Sequence, residues 1–227
     1  AFFTNLERIK KYNFCFDINK IKLMLHYGSP LIMSGIIMVF INSSDRYFLK
    51  QFFSLEEIGI YSIGYTIGSS INLFISSFQT AWPQMMFKIS SESDSSDKYG
   101  VVFTYYVYFI GVIWIVLSSF SYEIVYFFTD DKFLKSYNVI PTVALAYAVY
   151  GATSITSAGI YIKNKTYNEL ILMPVILIIC LISNYFFIKE YGSLGAAYAT
   201  FISFCSMFFL YTFKGAKYLK INYNSLK

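Results

Sequence analysis

This chain is poor in charged residues and in the residue types from which catalytic and metal sites are built. Charged residues make up 14% of its 227 positions, against about 25% in a typical soluble domain, and it has one histidine and three cysteines. Cys15, Cys180 and Cys205 show no paired spacing, so the sequence indicates neither a disulfide framework nor a metal site. Nucleophile-elbow, zincin and Walker motifs are also missing. We therefore predict that the protein is not an enzyme.

Apolar residues dominate the composition instead, at 56% of the chain, and the mean hydropathy is +0.52. A soluble protein of this composition would lack the polar residues needed to cover its surface. Six apolar segments are each long enough to cross a bilayer core of about 30 Å as a helix, the structure that satisfies its own backbone in lipid. We predict an all-α integral membrane protein with six transmembrane helices. The predicted spans cover residues 27–49, 58–87, 99–120, 137–162, 167–188 and 194–213.

The basic residues are distributed unevenly between the two sides of the predicted membrane. An even number of spans places both ends on one side, and that side receives 13 of the 18 basic residues. By the positive-inside rule, both ends of the segment are cytoplasmic, including the basic stretches 1–26 and 215–227. The net charge of +5 is then explained by topology and by attraction to anionic lipid, so we expect no nucleic-acid partner.

Polar residues recur along one face of the second predicted span. A polar stripe is unfavourable against lipid, so this face is expected to meet protein or a wet cavity. Interhelical hydrogen bonding, helped by the GxxxG spacing of Gly64 and Gly68, is the structural alternative. We favour the cavity, because the stripe is long for a purely structural helix. Its members are Tyr61, Tyr65, Gly68, Asn72, Ser76 and Gln79.

The first predicted span carries Asn42, Asp45 and Arg46 near one end, and Asn42 lies within helical reach of both charged residues. In one interpretation Arg46 extends to the outer interface while Asp45 is capped or paired locally. In the other, these residues line a substrate path, with Arg46 offered to an anion and Asp45 to a cation or a partner arginine. Helix geometry does not decide between them. Trp82, near the end of the second span, is interpreted first as an interfacial anchor and second as a substrate contact.

Four motifs resemble one transporter family in order and spacing: NSSDRYFL (42–49), EEIGIYSIGYTIG (56–68), FQTAWPQMMFK (78–88) and EYGSLGAAYAT (190–200). They are similar to the polysaccharide-biosynthesis flippases, the Wzx-type O-antigen and capsule repeat-unit transporters of the multidrug/oligosaccharidyl-lipid/polysaccharide (MOP) exporter superfamily. The resemblance implies a MATE-like fold of two six-helix lobes around a central cavity. Residues 27–214 are then expected to form the C-terminal lobe, with 1–26 as the link from an N-terminal lobe and 215–227 as a tail.

The resemblance also implies a function. Such proteins move undecaprenyl-diphosphate-linked oligosaccharide units across the bacterial cytoplasmic (inner) membrane by alternating access, for O-antigen, capsule or exopolysaccharide synthesis. We expect no cofactor, coupling to a proton or sodium gradient, and as partners the bilayer, the N-terminal lobe and a polysaccharide polymerase. The expected substrate path or gate comprises Asn42, Asp45, Arg46, Tyr61, Tyr65, Asn72 and Gln79, with Trp82 as a secondary contact.

Two other functions stay open at this point. A MATE-like antiporter of drugs or cations would use the same architecture with different cavity chemistry. A membrane-embedded polysaccharide polymerase or ligase would act in the same pathway, although such enzymes usually need a larger outer loop than this sequence has.

Overall fold

The computed structural model describes residues 17–222, and within them every regular element is helical. Residues 1–16 of the predicted link and 223–227 of the predicted tail lie outside the described part. The α-helices are α1 Ile18–Phe52, α2 Leu55–Gly68, α3 Asn72–Ser90, α4 Ser95–Ser119, α5 Ser121–Phe128, α6 Ile140–Thr156, α7 Ala158–Ile162 and α8 Glu169–Ala216. Short 3-10 helices cover Ser69–Ile71, Asp131–Asn138 and Thr166–Asn168.

Five stretches of the described residues are long and apolar enough to cross a membrane. They correspond to α1, to α2 with α3, to α4, to α6 with α7, and to α8 with the 3-10 turn before it. The prediction of an all-helical, multi-pass membrane protein is confirmed at this level. The count differs from the six predicted segments because α8 contains both the fifth and the sixth.

The chain reverses within α8, at Gly192. This residue has φ +57° and ψ −128°, a left-handed conformation that glycine adopts without a Cβ clash. The hydroxyl of Tyr211 reaches back to the carboxylate of Glu169, which requires two antiparallel arms. We call residues 169–191 the outgoing arm and residues 193–216 the return arm. Each arm matches one predicted segment, and the non-helical backbone of Gly192 lies between the two arms.

A carboxylate of α2 holds this reversal in place. The backbone N–H of Ser193 donates a hydrogen bond of 3.0 Å to Oε1 of Glu57. A Cβ at Gly192 would lie 2.9 Å from the same oxygen, so a larger residue here would displace the Glu57 carboxylate. Two of the motifs that carry the family resemblance, 56–68 and 190–200, therefore meet in space.

Helix α6 lies at the centre of the bundle, because 72% of the residues in the most apolar part of Ile140–Ile162 are buried. Aromatic side chains of α4 donate hydrogen bonds to its backbone carbonyls. The Tyr106 hydroxyl lies 2.9 Å from the carbonyl oxygen of Ala148, and the Trp114 indole nitrogen lies 2.9 Å from that of Pro141. Each bond satisfies a polar group that lipid could not satisfy.

The GxxxG pair of α2 packs directly against the chain that enters α6. A Cβ at Gly64 would lie 2.6 Å from the carbonyl oxygen of Ser136, and one at Gly68 would lie 2.9 Å from that of Ile140. The small residues thus permit a helix contact at backbone distance. This contact turns the face of α2 that carries Tyr61 and Tyr65 toward the protein interior.

Candidate functional site

Asp45 is a buried carboxylate in α1, with 2% of its surface exposed. It accepts hydrogen bonds from the Tyr61 hydroxyl and, at 2.7 Å, from the backbone N–H of Arg46. A buried charge is tolerated when such donors replace its lost hydration. No basic side chain of residues 17–222 forms an ion pair with it.

The guanidinium of Arg46 lies over the ring of Tyr65, 5.0 Å from its centroid. The Tyr65 hydroxyl shares a hydrogen bond of 2.6 Å with the Tyr147 hydroxyl of α6. Within the described residues no carboxylate lies within 4.0 Å of Arg46, whose side chain is half-buried. Arg46 therefore presents its hydrogen-bond donors next to an aromatic face. We call Asp45, Arg46, Tyr61, Tyr65 and Tyr147 the Asp45 cluster.

Asn42 and Asn72 are half-buried, and each has a buried side-chain oxygen that accepts no hydrogen bond from residues 17–222. The sequence spacing placed Asn42 within reach of Asp45 and Arg46. The carboxylate of Asp45 instead accepts its side-chain hydrogen bond from Tyr61, on the neighbouring helix. Buried polar atoms without a partner are uncommon, and they occur at functional sites among other places.

Gln79 and Trp82 of α3 both bind Ser154 of α6. The Gln79 amide nitrogen donates to the Ser154 hydroxyl, and the Trp82 indole nitrogen donates to the Ser154 carbonyl, each at 2.9 Å. Trp82 is 3% exposed and stacks on Phe78 at 5.5 Å between ring centroids. Its ring lies among helices, whereas the interfacial anchor expected from the sequence would be exposed to the membrane surface.

Gln79 and Trp82 also line a cavity of about 350 Å³ between α1, α3, α6, α7 and the return arm of α8. We call it the Trp82 cavity. Its wall contains tyrosines from α1, α6, α7 and the return arm of α8, together with small hydroxyl residues of α6 such as Ser154. The aromatic and amide side chains in the wall include Tyr27, Gln79, Trp82, Tyr150, Tyr161 and Tyr211.

Sequence reasoning missed a second buried carboxylate, Glu169, which is 3% exposed. It accepts hydrogen bonds from the hydroxyls of Tyr161, at 2.8 Å, and Tyr211. The signal was present in the sequence, because Glu169 is the one acidic residue in the predicted span 167–188. Because Glu169 lies near the start of the span, the sequence does not distinguish it from the polar connection KNK that precedes the span.

The comparisons with known proteins bear on the first part of the chain. Residues 4–92 match a family model described as "Polysaccharide biosynthesis protein". The predicted resemblance to a polysaccharide biosynthesis family is confirmed. The match contains all seven residues predicted for the path or gate and the secondary contact Trp82, and Glu169 lies outside it. Comparison with curated proteins and with solved structures found no match.

Proposed function

We propose that this chain forms one lobe of a flippase that moves undecaprenyl-diphosphate-linked oligosaccharides across the bacterial cytoplasmic membrane. The family match supports a role in polysaccharide biosynthesis, and the membrane-length helices support a multi-pass protein. Counting the two arms of α8 separately gives six helical segments, which agrees with the six crossings expected of half a MOP-type transporter. Alternating access by two such lobes would carry the polar head of the lipid past the polar groups described above.

The unpaired guanidinium of Arg46 is the observation that carries this proposal. Positive charge is rarely buried in membrane helices without a partner, and where it occurs it commonly marks a substrate pathway. Arg46 has no carboxylate partner in residues 17–222, and its half-buried side chain lies over the Tyr65 ring. A guanidinium donates paired hydrogen bonds to phosphate oxygens and keeps its charge at any physiological pH. A diphosphate linkage is a fitting partner for this group.

The Trp82 cavity has the chemistry that binds sugars. Aromatic ring faces pack against the apolar faces of sugar rings, while amide and hydroxyl groups hydrogen-bond to the ring hydroxyls. Trp82 and Tyr150 supply rings, and Gln79 with Ser154 supplies an amide and a hydroxyl. The Asp45 cluster would thus hold the diphosphate, and the cavity would hold part of the oligosaccharide at another stage of the cycle.

Replacing Arg46 tests the proposal directly. Arg46→Ala in the full-length protein should abolish surface polysaccharide while membrane abundance stays normal, and Arg46→Lys should restore only part of the activity because a lysine lacks the paired donors. Lys50→Ala is the matched control, since Lys50 is exposed on the same helix and should tolerate the change. Normal polysaccharide in Arg46→Ala cells, or depletion of the protein, would make Arg46 an anchor.

The location of the accumulated lipid separates this function from its alternatives. Cells that lack a flippase retain lipid-linked units on the cytoplasmic leaflet, whereas cells that lack a polymerase accumulate single units on the outer leaflet. Loss of a drug or cation antiporter changes neither. Leaflet-resolved extraction of lipid-linked units from Arg46→Ala cells should therefore find them on the cytoplasmic side.

Cysteine labelling tests whether the polar face of α3 meets water. Gln79→Cys should react with a polar, membrane-impermeant thiol reagent, because Gln79 lines the Trp82 cavity. Phe74→Cys is the matched control, since Phe74 is 50% exposed on the predicted opposite face and would meet acyl chains. Labelling at position 74 with none at position 79 would place lipid against the polar face and contradict the proposed path.

A further inference from the structure

Glu169 holds together two elements that are distant in sequence. Glu169 is the first residue of the outgoing arm of α8. Its carboxylate accepts hydrogen bonds from Tyr161, in α7, and from Tyr211, in the return arm. The carboxylate is therefore the point where α7 and both arms of α8 are joined. Removing its negative charge would weaken two hydrogen bonds at once.

Among residues 17–222, the titratable groups that face this carboxylate are tyrosines. Tyr27 of α1 and Tyr150 of α6 lie close enough to interact with it electrostatically, in addition to Tyr161 and Tyr211. No lysine, arginine or histidine of residues 17–222 forms an ion pair with Glu169. Burying an ionised carboxylate in a membrane protein with neutral donors and no cation costs free energy. The protonated, neutral form of Glu169 is therefore accessible.

The carboxylate also lies close to the Trp82 cavity. Tyr161 and Tyr211 both line the Trp82 cavity, and both direct their hydroxyls at Glu169. The two tyrosines thus lie next to both the cavity and the carboxylate. A hydroxyl can accept a proton and donate another, which gives a short route for a proton between the two.

We propose that Glu169 takes up and releases a proton through the Trp82 cavity, and that protonation loosens the contact between α7 and the return arm of α8. The proton comes from water in the cavity and returns to it, so no other reactant is needed. Ionised Glu169 accepts two charge-assisted hydrogen bonds, whereas neutral Glu169 forms bonds of about half that strength. The role of this step in transport rests on the proposed function; the proton uptake itself does not.

Infrared difference spectroscopy of the full-length protein in lipid nanodiscs tests the proton uptake. A pH titration should reveal the carbonyl band of one buried carboxylic acid that appears with a single midpoint as the pH is lowered, and carbon-13 labelling of glutamate should shift it. Glu169→Gln should remove the band. Glu123→Gln, a change of an exposed carboxylate in α5, should leave it in place. A band that survives Glu169→Gln, or the absence of such a band at every pH at which the protein stays folded, would overturn the proposal.

Two milder variants keep the test informative if Glu169→Gln does not fold. Tyr161→Phe and Tyr211→Phe each keep Glu169 but remove one donor to its charged form. Each should move the midpoint of the band to higher pH by about one unit, since one charge-assisted hydrogen bond corresponds to roughly that difference. An unchanged midpoint in both variants would show that the titrating group is another carboxylate.

Amide hydrogen exchange tests the loosening. Exchange in residues 158–162 and 193–216 should be faster below the midpoint than above it, and Glu169→Gln should exchange at the fast rate at both pH values. Rates that are independent of pH would contradict the coupling to helix packing. These readouts do not involve transport, so they can fail while the Arg46→Ala experiment succeeds, and the reverse outcome is equally distinguishable.

Discussion

Asp45 and Glu169 are both carboxylates buried in apolar helices, and both accept hydrogen bonds from tyrosine hydroxyls. They differ in what else surrounds them. Asp45 receives one tyrosine and a backbone N–H, and the positive charge of Arg46 lies close by. Glu169 receives two tyrosines and no cation from the described residues. The comparison shows one arrangement in two settings: a carboxylate beside a guanidinium with which it forms no ion pair, and a carboxylate with no cation bound to it.

The two carboxylates also lie at opposite ends of the bundle. The turn before Glu169 contacts α1 at Tyr27, where the Thr166 hydroxyl donates to the Tyr27 carbonyl at 3.0 Å. Tyr27 and Asp45 are separated by about 27 Å along α1, at 1.5 Å per helical residue. A change at one carboxylate should therefore leave the immediate surroundings of the other intact, which allows each to serve as the control for the other.

The largest effect is expected where both donors to one carboxylate are removed. The double variant Tyr161→Phe with Tyr211→Phe should lower the free energy of unfolding by about 3–6 kcal/mol at pH 8, since a hydrogen bond to a charged group contributes about 1.5–3 kcal/mol. Tyr61→Phe, which removes the one tyrosine bound to Asp45, should have about half that effect. Reversible denaturation in mixed micelles measures both. A smaller loss in the double variant than in Tyr61→Phe would mean that Glu169 does not join the helices.

The sequence predicts the helices of this fold better than it predicts their ends. Each apolar run became a helix, because apolar runs of that length have few other structures available in lipid. Helix α1, however, begins at Ile18, before the predicted start at residue 27. Asp17 caps it by accepting hydrogen bonds from the N–H groups of Asn19 and Lys20, and such a cap can start a helix outside the apolar run.

The same limit applies to the site. Asp45 and Arg46 stand out in the sequence because they interrupt an apolar run. Their partners do not stand out: the Tyr61 bond joins neighbouring helices, and the Glu169–Tyr211 bond depends on the reversal at Gly192. A chain with 22 tyrosines gives no local sign of which ones will meet a carboxylate. Tertiary packing decides that, so the Asp45 cluster was predicted in part and the Glu169 site was not.

A double-mutant cycle on Tyr61 and Asp45 gives the next largest effect and sharpens the comparison. Tyr61→Phe should lower the free energy of unfolding by about 1.5–3 kcal/mol when Asp45 is present. In an Asp45→Asn background the loss should fall to about 1 kcal/mol, because the hydrogen bond then joins two neutral groups. The difference is the coupling energy of the pair, and the same denaturation measurement supplies it. Equal losses in both backgrounds would indicate that Asp45 is neutral in the folded protein, and the contrast with Glu169 would disappear.

The smallest effect is expected at Tyr65, whose ring and hydroxyl have separate partners. Tyr65→Phe removes the hydrogen bond to Tyr147 and should lower the free energy of unfolding by about 0.6 kcal/mol, the average for a neutral bond between membrane helices. The phenylalanine ring still faces Arg46, so surface polysaccharide should be retained. Tyr65→Leu removes the ring as well, so the guanidinium loses the aromatic face that positions it. We expect surface polysaccharide to fall by more than the loss of stability alone would cause. Equal transport in the two variants, measured at matched membrane abundance, would show that the ring does not position Arg46, and the Asp45 cluster would then reduce to a structural contact between α1 and α2.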